Sequence, residues 1–399
     1  MTNEQKVLLE LVGATLKGTA ADIQNPEAVD WLSVAKEADE QAVLPMALDA
    51  AASVKQNISS DVYRLWSNRA VKYLVKNTQV ENHQKELLKL LDGAGYRYVI
   101  LKGLSSARYY NSPDLRTLGD VDFLINPVQN DEITKFLCTN GYKSEMEDHE
   151  CHTVFRKKHA HLEMHREISG IPHGETGEKV RGFVSDLLDT CRTDSDFNIP
   201  QKHHHGLILL LHTQHHLVGE GIGIRHLCDW AAFVNSTQDE TFWQEKLLPF
   251  LRETGLLTFA RALTKTCAIA FKIQCPDWAD ADEKLCQELL EDVISGGNFG
   301  TKEKSRSLSG ALISNRGKDG VAKKKWSRLY TVFKENVQTK HPVTKKHPIL
   351  YPFYAVYKAA RFFVLRVFGK RPSFNKLSKD IDERKSIYQQ LKIFEVEEK

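Results

Sequence analysis

From residue 1 to about 93, apolar positions recur at helical rather than strand spacing. Leu8, Leu9, Leu11 and Leu16 share one face of an amphipathic helix. Asn25-Pro26-Glu27 predicts the opening of another, with Asn25 as N-cap and Pro26 in the first turn. Ala42 to Ala52 is rich in Ala and Leu and favours helix. Ser59-Ser60-Asp61 predicts the cap of a long helix through Leu91, closed by Gly93 or Gly95.

At Tyr96 the period changes. Arg97–Leu101 and Val121–Ile125 read as strands, the second preceded by Gly119. A helix follows from Pro127 to Asn140 and stops at Gly141. Tyr142–Glu147, Thr153–Lys157 and Ala160–Glu167 read as three more strands, which predicts a mixed sheet of about five. Residues 175 to about 295 return to helix: an apolar run Leu207–Leu217 behind His203, His204 and His205, then Ile224–Val234 and Trp243–Leu251. Gly296-Gly297-Asn298-Phe299-Gly300 breaks the chain, and Thr301–Asp319, with Ser305, Ser307 and Ser309, reads as a polar flexible loop. The pattern divides the chain into a helical region 1–93, an α/β core 94–174, a helical domain 175–300 and a basic helical region 301–399.

Length and composition refine this picture in three ways. A chain of 399 residues, 41% hydrophobic, is long enough for two or three domains with ordinary cores. The net charge is only +3, but within 301–370 the acids are just Glu303, Asp319 and Glu335, against Lys323, Lys324, Lys325, Arg328, Lys345 and Lys346 among many bases. Ile349–Phe368 mixes aromatics and aliphatics with Lys358, Arg361 and Arg366. It reads either as a helix packed on the body with its basic face in solvent, or as one that makes peripheral contact with an anionic membrane or nucleic acid. Seven scattered cysteines, odd in number and without a CxxC pair, fit a reduced cytoplasmic setting. The start MTNEQKVLLELVG lacks a basic stretch followed by a long apolar run, so no secretory signal is expected, and no run of about 20 apolar residues spans a bilayer.

The chemistry concentrates between Tyr98 and Ile125. Asp120 and Asp122, one residue apart on a strand, face the same way. Like charges this close coexist ionised most readily with a cation between them. A two-metal arrangement needs a third carboxylate, and Glu163, mid-strand in His161-Leu162-Glu163-Met164-His165, is the candidate if its strand neighbours the Asp strand. Carboxylate oxygens suit octahedral Mg²⁺. Lys102-Gly103-Leu104-Ser105 leaves the first strand as a phosphate-cradling turn: Gly103 for close backbone approach, Ser105 and the helix start as donors, Lys102 as a point charge. Arg116 stands ready to neutralise charge on a transferring phosphoryl group.

Other constellations compete. His159, His161, Glu163 and His165 alternate onto one face, but i, i+2 and i+4 positions span too far to close comfortably on one zinc or iron ion. Their plain reading is a polar sheet face lining a cleft, with His165 tuning it near neutral pH. His212, His216 and Glu220 share a helix face without the Glu of HExxH. They read as packing groups at a domain junction, or place His212, Arg225 and Asp229 around the cleft opposite the metal. Gly219–Gly223 follows a helix rather than a strand, which argues against a dinucleotide site. The chain holds no GxxxxGK[ST] and no GxSxG elbow.

Taken together, LKG…Y…R…GDVDFL with a downstream LEMH resembles the DNA polymerase β-like nucleotidyltransferase superfamily, and within it the bacterial uncharacterised nucleotidyltransferase family. The likeness covers residues 96–168, extends to the H…GIR.L.DW pattern between His212 and Asp229, and touches PILYPFYAVYKAAR. It implies an α+β fold: a polymerase β-like mixed sheet flanked by N-terminal and C-terminal helical regions. It implies Asp120 and Asp122 as metal ligands, Glu163 as third carboxylate, and Lys102, Gly103 and Arg116 as site residues. The usual Gly-Ser turn is here Gly103-Leu104-Ser105, with the serine displaced by one. The implied reaction moves a nucleoside monophosphate from an NTP to an acceptor hydroxyl with Mg²⁺ or Mn²⁺. The acceptor stays open among small molecules, sugars, peptides and RNA. The alternative is a catalytically inactive nucleotide- or partner-binding protein on the same fold.

Overall fold

The computed structural model of the protein describes residues 1–145, 151–194, 196–302, 306, 334, 337, 341, 343–358 and 374–396. Outside the described residues lie the end of the third expected strand (146 and 147), Ser305, Ser307 and Ser309 of the expected loop, Lys323, Lys324, Lys325 and Arg328, and 359–368 of the basic stretch.

The N-terminal helices are α1 (Asn3–Lys17), α2 (Trp31–Glu40), α3 (Leu44–Ala51) and α4 (Ser60–Gly93). Ser59 caps α4 as expected, its hydroxyl accepting from the Val62 amide. Asn25 behaves differently from the expectation. It sits in left-handed backbone at φ 49°, makes no side-chain cap, and Pro26–Ala28 is only a 3₁₀ turn. The cap belongs to Asp30, whose carboxylate accepts from the Leu32 and Ser33 amides and so starts α2 five residues later than Pro26 would.

Strand β1 (Tyr98–Ile100) leads through α5 (Leu104–Ala107) to β2 (Val121–Ile125), α6 (Asn130–Thr139), β3 (Lys143–Ser144), β4 (His152–Lys157) and β5 (Ala160–His165). These five strands form one mixed sheet in the order β1-β2-β5-β4-β3. β2 runs antiparallel to β1 and parallel to β5, with Asp122 level with Glu163. β4 and β5 are antiparallel, with His152 opposite His165. Strand alternation then gives the sheet two different faces. Phe123, Ile125, Phe155, Leu162 and Met164 are buried with Leu87, Leu88 and Leu91 of α4 and Ile133 and Leu137 of α6. The acids and histidines between them point the other way.

The chain continues through α7 (Glu175–Phe183), α8 (Leu187–Thr190), a hairpin β6 (Arg192–Asp194) and β7 (Phe197–Ile199), then α9 (Lys202–Val218) and α10 (Ile224–Asn235). The hairpin corrects the expectation of unbroken helix after residue 175: the short segments pair with each other, and Thr193 donates to Asn198 across the ladder. A π-helical stretch, Phe242–Leu247, runs into α11 (Leu248–Glu253). Then come α12 (Leu257–Phe271) and α13 (Glu283–Gly296). α1, α3, α10, α12 and α13 contribute buried apolar residues to the larger core, which also takes in Val99 and Leu124 from the sheet's second face. The helix Phe374–Gln390 returns to this body, with Arg384 and Tyr388 hydrogen-bonding the Leu217 carbonyl. No helix among the described residues is long and apolar enough to cross a membrane. Cys138, Cys191, Cys228, Cys267, Cys275 and Cys286 are free thiols.

Candidate active site

The second face of the sheet looks across a cleft of about 830 Å³ to α9 and α10. Lys102, Gly103, Arg116, Asp120, Asp122, Glu163, His165, His212, Arg225 and Asp229, ten of the residues singled out in the sequence, line it. Ser105 does not line it. Its side chain is fully buried, and its hydroxyl has no hydrogen-bond partner among the described residues.

Local backbone geometry sets this arrangement. The Leu101 amide donates to the Asp122 carbonyl at 3.0 Å, so the chain leaves β1 already level with the acid strand. Gly103 then turns with φ +66°, a conformation that glycine takes without steric penalty. Lys102 is left with its ammonium 2.9 Å from Asp122 Oδ1 and 3.2 Å from His212 Nδ1. On the acid strand's entry side, Asn77 of α4 clamps the loop. Its amide donates to the Asp114 and Arg116 carbonyls at 3.0 and 2.8 Å, and its oxygen accepts from the Leu118 amide at 2.8 Å.

The carboxylates are held unequally. Burial pushes Asp122 up, but the Lys102 charge and the His165 hydrogen bond, at 3.0 Å, outweigh it and hold the acid far below the usual range. Asp120 goes the other way, pushed up to about 6 by burial and by the charge of Asp122. Burial also opposes ionisation of Glu163, yet His165 and Lys102 bring its net shift downward. For His165, burial favours the neutral ring, but hydrogen bonds to Asp122 and Glu163 win and raise it. One site thus holds a firmly ionised acid beside one poised near neutral pH.

The opposite wall is cationic and aromatic. Arg116 is bidentate on Asp229, 2.7 Å at each contact, and Tyr110 donates to the same carboxylate at 2.6 Å. Arg225 donates to the Thr117 carbonyl at 3.4 Å, while its buried Nε has no hydrogen-bond partner among the described residues. Burial and the Arg116 charge push its pKa down, an environment that an arriving anion would relieve. Its guanidinium lies 5.5 Å from the Phe299 ring, which also meets His216 and His226 edge-on. Burial first, then the neighbouring Lys102, Arg225 and other histidines, keep His212, His216 and His226 neutral. The Lys102 ammonium therefore donates to His212 Nδ1.

A family model described as uncharacterised nucleotidyltransferase matches residues 27–272. The chain belongs to this family. Comparison with curated proteins and with solved structures gave no match. The match to this nucleotidyltransferase family spans the sheet, the acid pair, Asn77 and the α9–α10 wall, and stops short of Phe299.

Sequence reasoning missed His152, His226, Phe299, Tyr110 and Asn77. Asn77 is one polar residue on a long, mostly exposed helix, and nothing local distinguishes it. His152 opens β4, and only the β4–β5 pairing puts it beside Glu163. Phe299 carried a readable signal, an aromatic within the glycine-rich run Gly296-Gly297-Asn298-Phe299-Gly300, and the structure holds it at φ +54°.

Proposed function

We propose that the protein transfers a nucleoside monophosphate from an NTP to an acceptor hydroxyl, on a polymerase β-like sheet, with a divalent cation and release of pyrophosphate. The observation that carries this is the register of β2 and β5, which sets Asp122 level with Glu163 on the cleft face, Asp120 one turn of the pleat away and Lys102 above them. Three carboxylates, the oxygen donors that Mg²⁺ or Mn²⁺ takes, line the cleft, and ligand atoms of Asp120 and Glu163, with His161 beside them, lie within 4.8 Å of one another. Asp120, Asp122 and Glu163 would hold the cation. A bound cation would supply polarisation of the transferring phosphoryl group and activation of the acceptor oxygen.

The chain's own residues supply the rest. Lys102 and the Gly103 turn receive the triphosphate, and Arg225 faces it as the cation with a spare donor. Arg116 anchors the acid strand's entry to α10 through Asp229. His165 orients Asp122. Phe299 and His216 offer ring faces and edges at the far wall, suited to a base. Catalysis on this reading is mostly positioning and charge neutralisation.

The test is pyrophosphate release from ATP, GTP, CTP and UTP with Mg²⁺ or Mn²⁺, over a panel of sugars, peptides and RNA. Asp122→Asn is expected to lose at least about a hundredfold in rate while keeping its fold. Retained release in that variant would overturn the assignment. Nucleotide binding by calorimetry without release across the panel would favour the inactive binding protein.

A further inference from the structure

A second cluster of metal-ligand atoms shares Glu163 but uses different partners. Nε2 of His152 and Nε2 of His165 lie 3.9 and 3.7 Å from Glu163 Oε2, and the three residues place a ligand atom each within 4.8 Å of the others. His161 approaches the other oxygen, Oε1, at 4.0 Å. The pairing of β4 with β5 builds the cluster. His152 is directly opposite His165, their ring centroids 5.0 Å apart, and Glu163 is the diagonal neighbour on the same face.

We propose that His152, Glu163 and His165 form a site for a borderline first-row divalent ion, of the Zn²⁺ or Co²⁺ kind, on the Oε2 edge of Glu163. The argument is one of donor type and distance. Two imidazole nitrogens and one carboxylate oxygen suit zinc-like ions, whereas Mg²⁺ keeps to oxygen and water. In a tetrahedral site with bonds of ~2.1 Å the ligand atoms stand about 3.4 Å apart. The two separations from Glu163 Oε2, 3.9 and 3.7 Å, need to close by only about 0.3–0.5 Å to reach that value, and the two imidazole nitrogens already lie within 4.8 Å of each other. All three residues line the cleft, so the fourth position opens onto it and takes water or a substrate oxygen. His165 Nε2 also lies 3.0 Å from Asp122 Oδ1, so the site borders the acid pair.

This site goes beyond nucleotidyl transfer and stands whether or not that reaction occurs. The experiment is a Co²⁺ titration of the chelator-stripped full-length protein in excess Mg²⁺, read by the visible ligand-field absorption of a nitrogen-ligated ion. The expected result is one Co²⁺ per chain, displaced by Zn²⁺ and not by Mg²⁺. His152→Ala is expected to weaken binding at least tenfold, as is His152→Asn, a polar variant that guards against misfolding. Each is compared with the wild type by thermal unfolding in chelator. Asp120→Asn is expected to keep the Co²⁺ spectrum while losing pyrophosphate release, which separates this site from the transferase reading. No Co²⁺ spectrum in the folded wild type, or an unchanged affinity in both folded His152 variants, overturns the proposal.

Discussion

Asp120 shows how burial beside a like charge costs stability. Its carboxyl titrates near 6 in the fold against an ordinary value of 3.8, because burial and Asp122 disfavour its charge. Between these values the folded state binds the extra proton, so stability falls as pH rises through that window. Asp120→Asn removes the penalty. In chelator at pH 7.5 the variant is expected to be more stable by about 2 kcal/mol, with the difference vanishing below about pH 4. Urea unfolding at the two pH values checks this. Added Mg²⁺ is expected to raise the wild-type midpoint and leave the variant where it was. The pair Asp120 and Asp122 was legible in the sequence because strand alternation is a local rule. The unequal treatment of the two acids was not, since it depends on Lys102 and His165 arriving from other elements.

At the scale of elements, helix–sheet and helix–helix contacts carry the architecture. α4 was readable from its cap and periodicity, yet the residue that ties it to the loop before β2 is Asn77, which satisfies two buried backbone groups and one part-buried one there. Asn77→Ala is expected to lower stability by about 2–4 kcal/mol, since those groups lose their partner without gaining water. A denaturant titration measures the loss, and nucleotide affinity is expected to fall with it as Arg116 and the acid strand shift. α1 meets α12 so closely that a Cβ on Gly13 would stand 2.4 Å from the Phe271 carbonyl oxygen. The helices must part to admit it, so Gly13→Ala is expected to cost about 1–3 kcal/mol despite the better helix propensity of alanine. A lowered unfolding temperature with unchanged helical circular dichroism is the expected signature. The elements that sequence patterns misjudged are the short ones. β6 and β7 of three residues each are too brief for a period to register, and Asn25-Pro26 offered cap chemistry that Asp30 uses instead.

Across the whole molecule, burial of histidines sets the response to acid. His205 lies under the cleft, bonded to Tyr109 and Ser106, and burial pushes its pKa down to about 3, as it does that of His216. His212 and His226 are lowered well below the ordinary value for the same reason. These rings stay neutral when folded and take up protons when unfolded. Their contribution is therefore fully present above about pH 6.5 and is lost as pH falls, by up to ~1.4 kcal/mol per pH step for each histidine. Unfolding temperatures measured from pH 7.5 to 4.5 are expected to drop steeply, and His205→Gln to flatten the slope.

Local rules determined much of this protein from its sequence. Alternation put Asp120 with Asp122 and His161 with Glu163 and His165, helical periodicity drew α1, α4, α9 and α10, and Gly103 marked the turn after β1. These features depend on neighbours within a few residues, and backbone geometry fixes them wherever the chain goes. Tertiary structure decided the rest. The order β1-β2-β5-β4-β3 set Glu163 beside Asp122 and His152 across from His165, and the docking of α9 and α10 brought His212 to Lys102 and Asp229 to Arg116. Those pairings join residues up to 113 positions apart in the chain, where side-chain burial and charge compensation choose the partner and no local pattern records the choice.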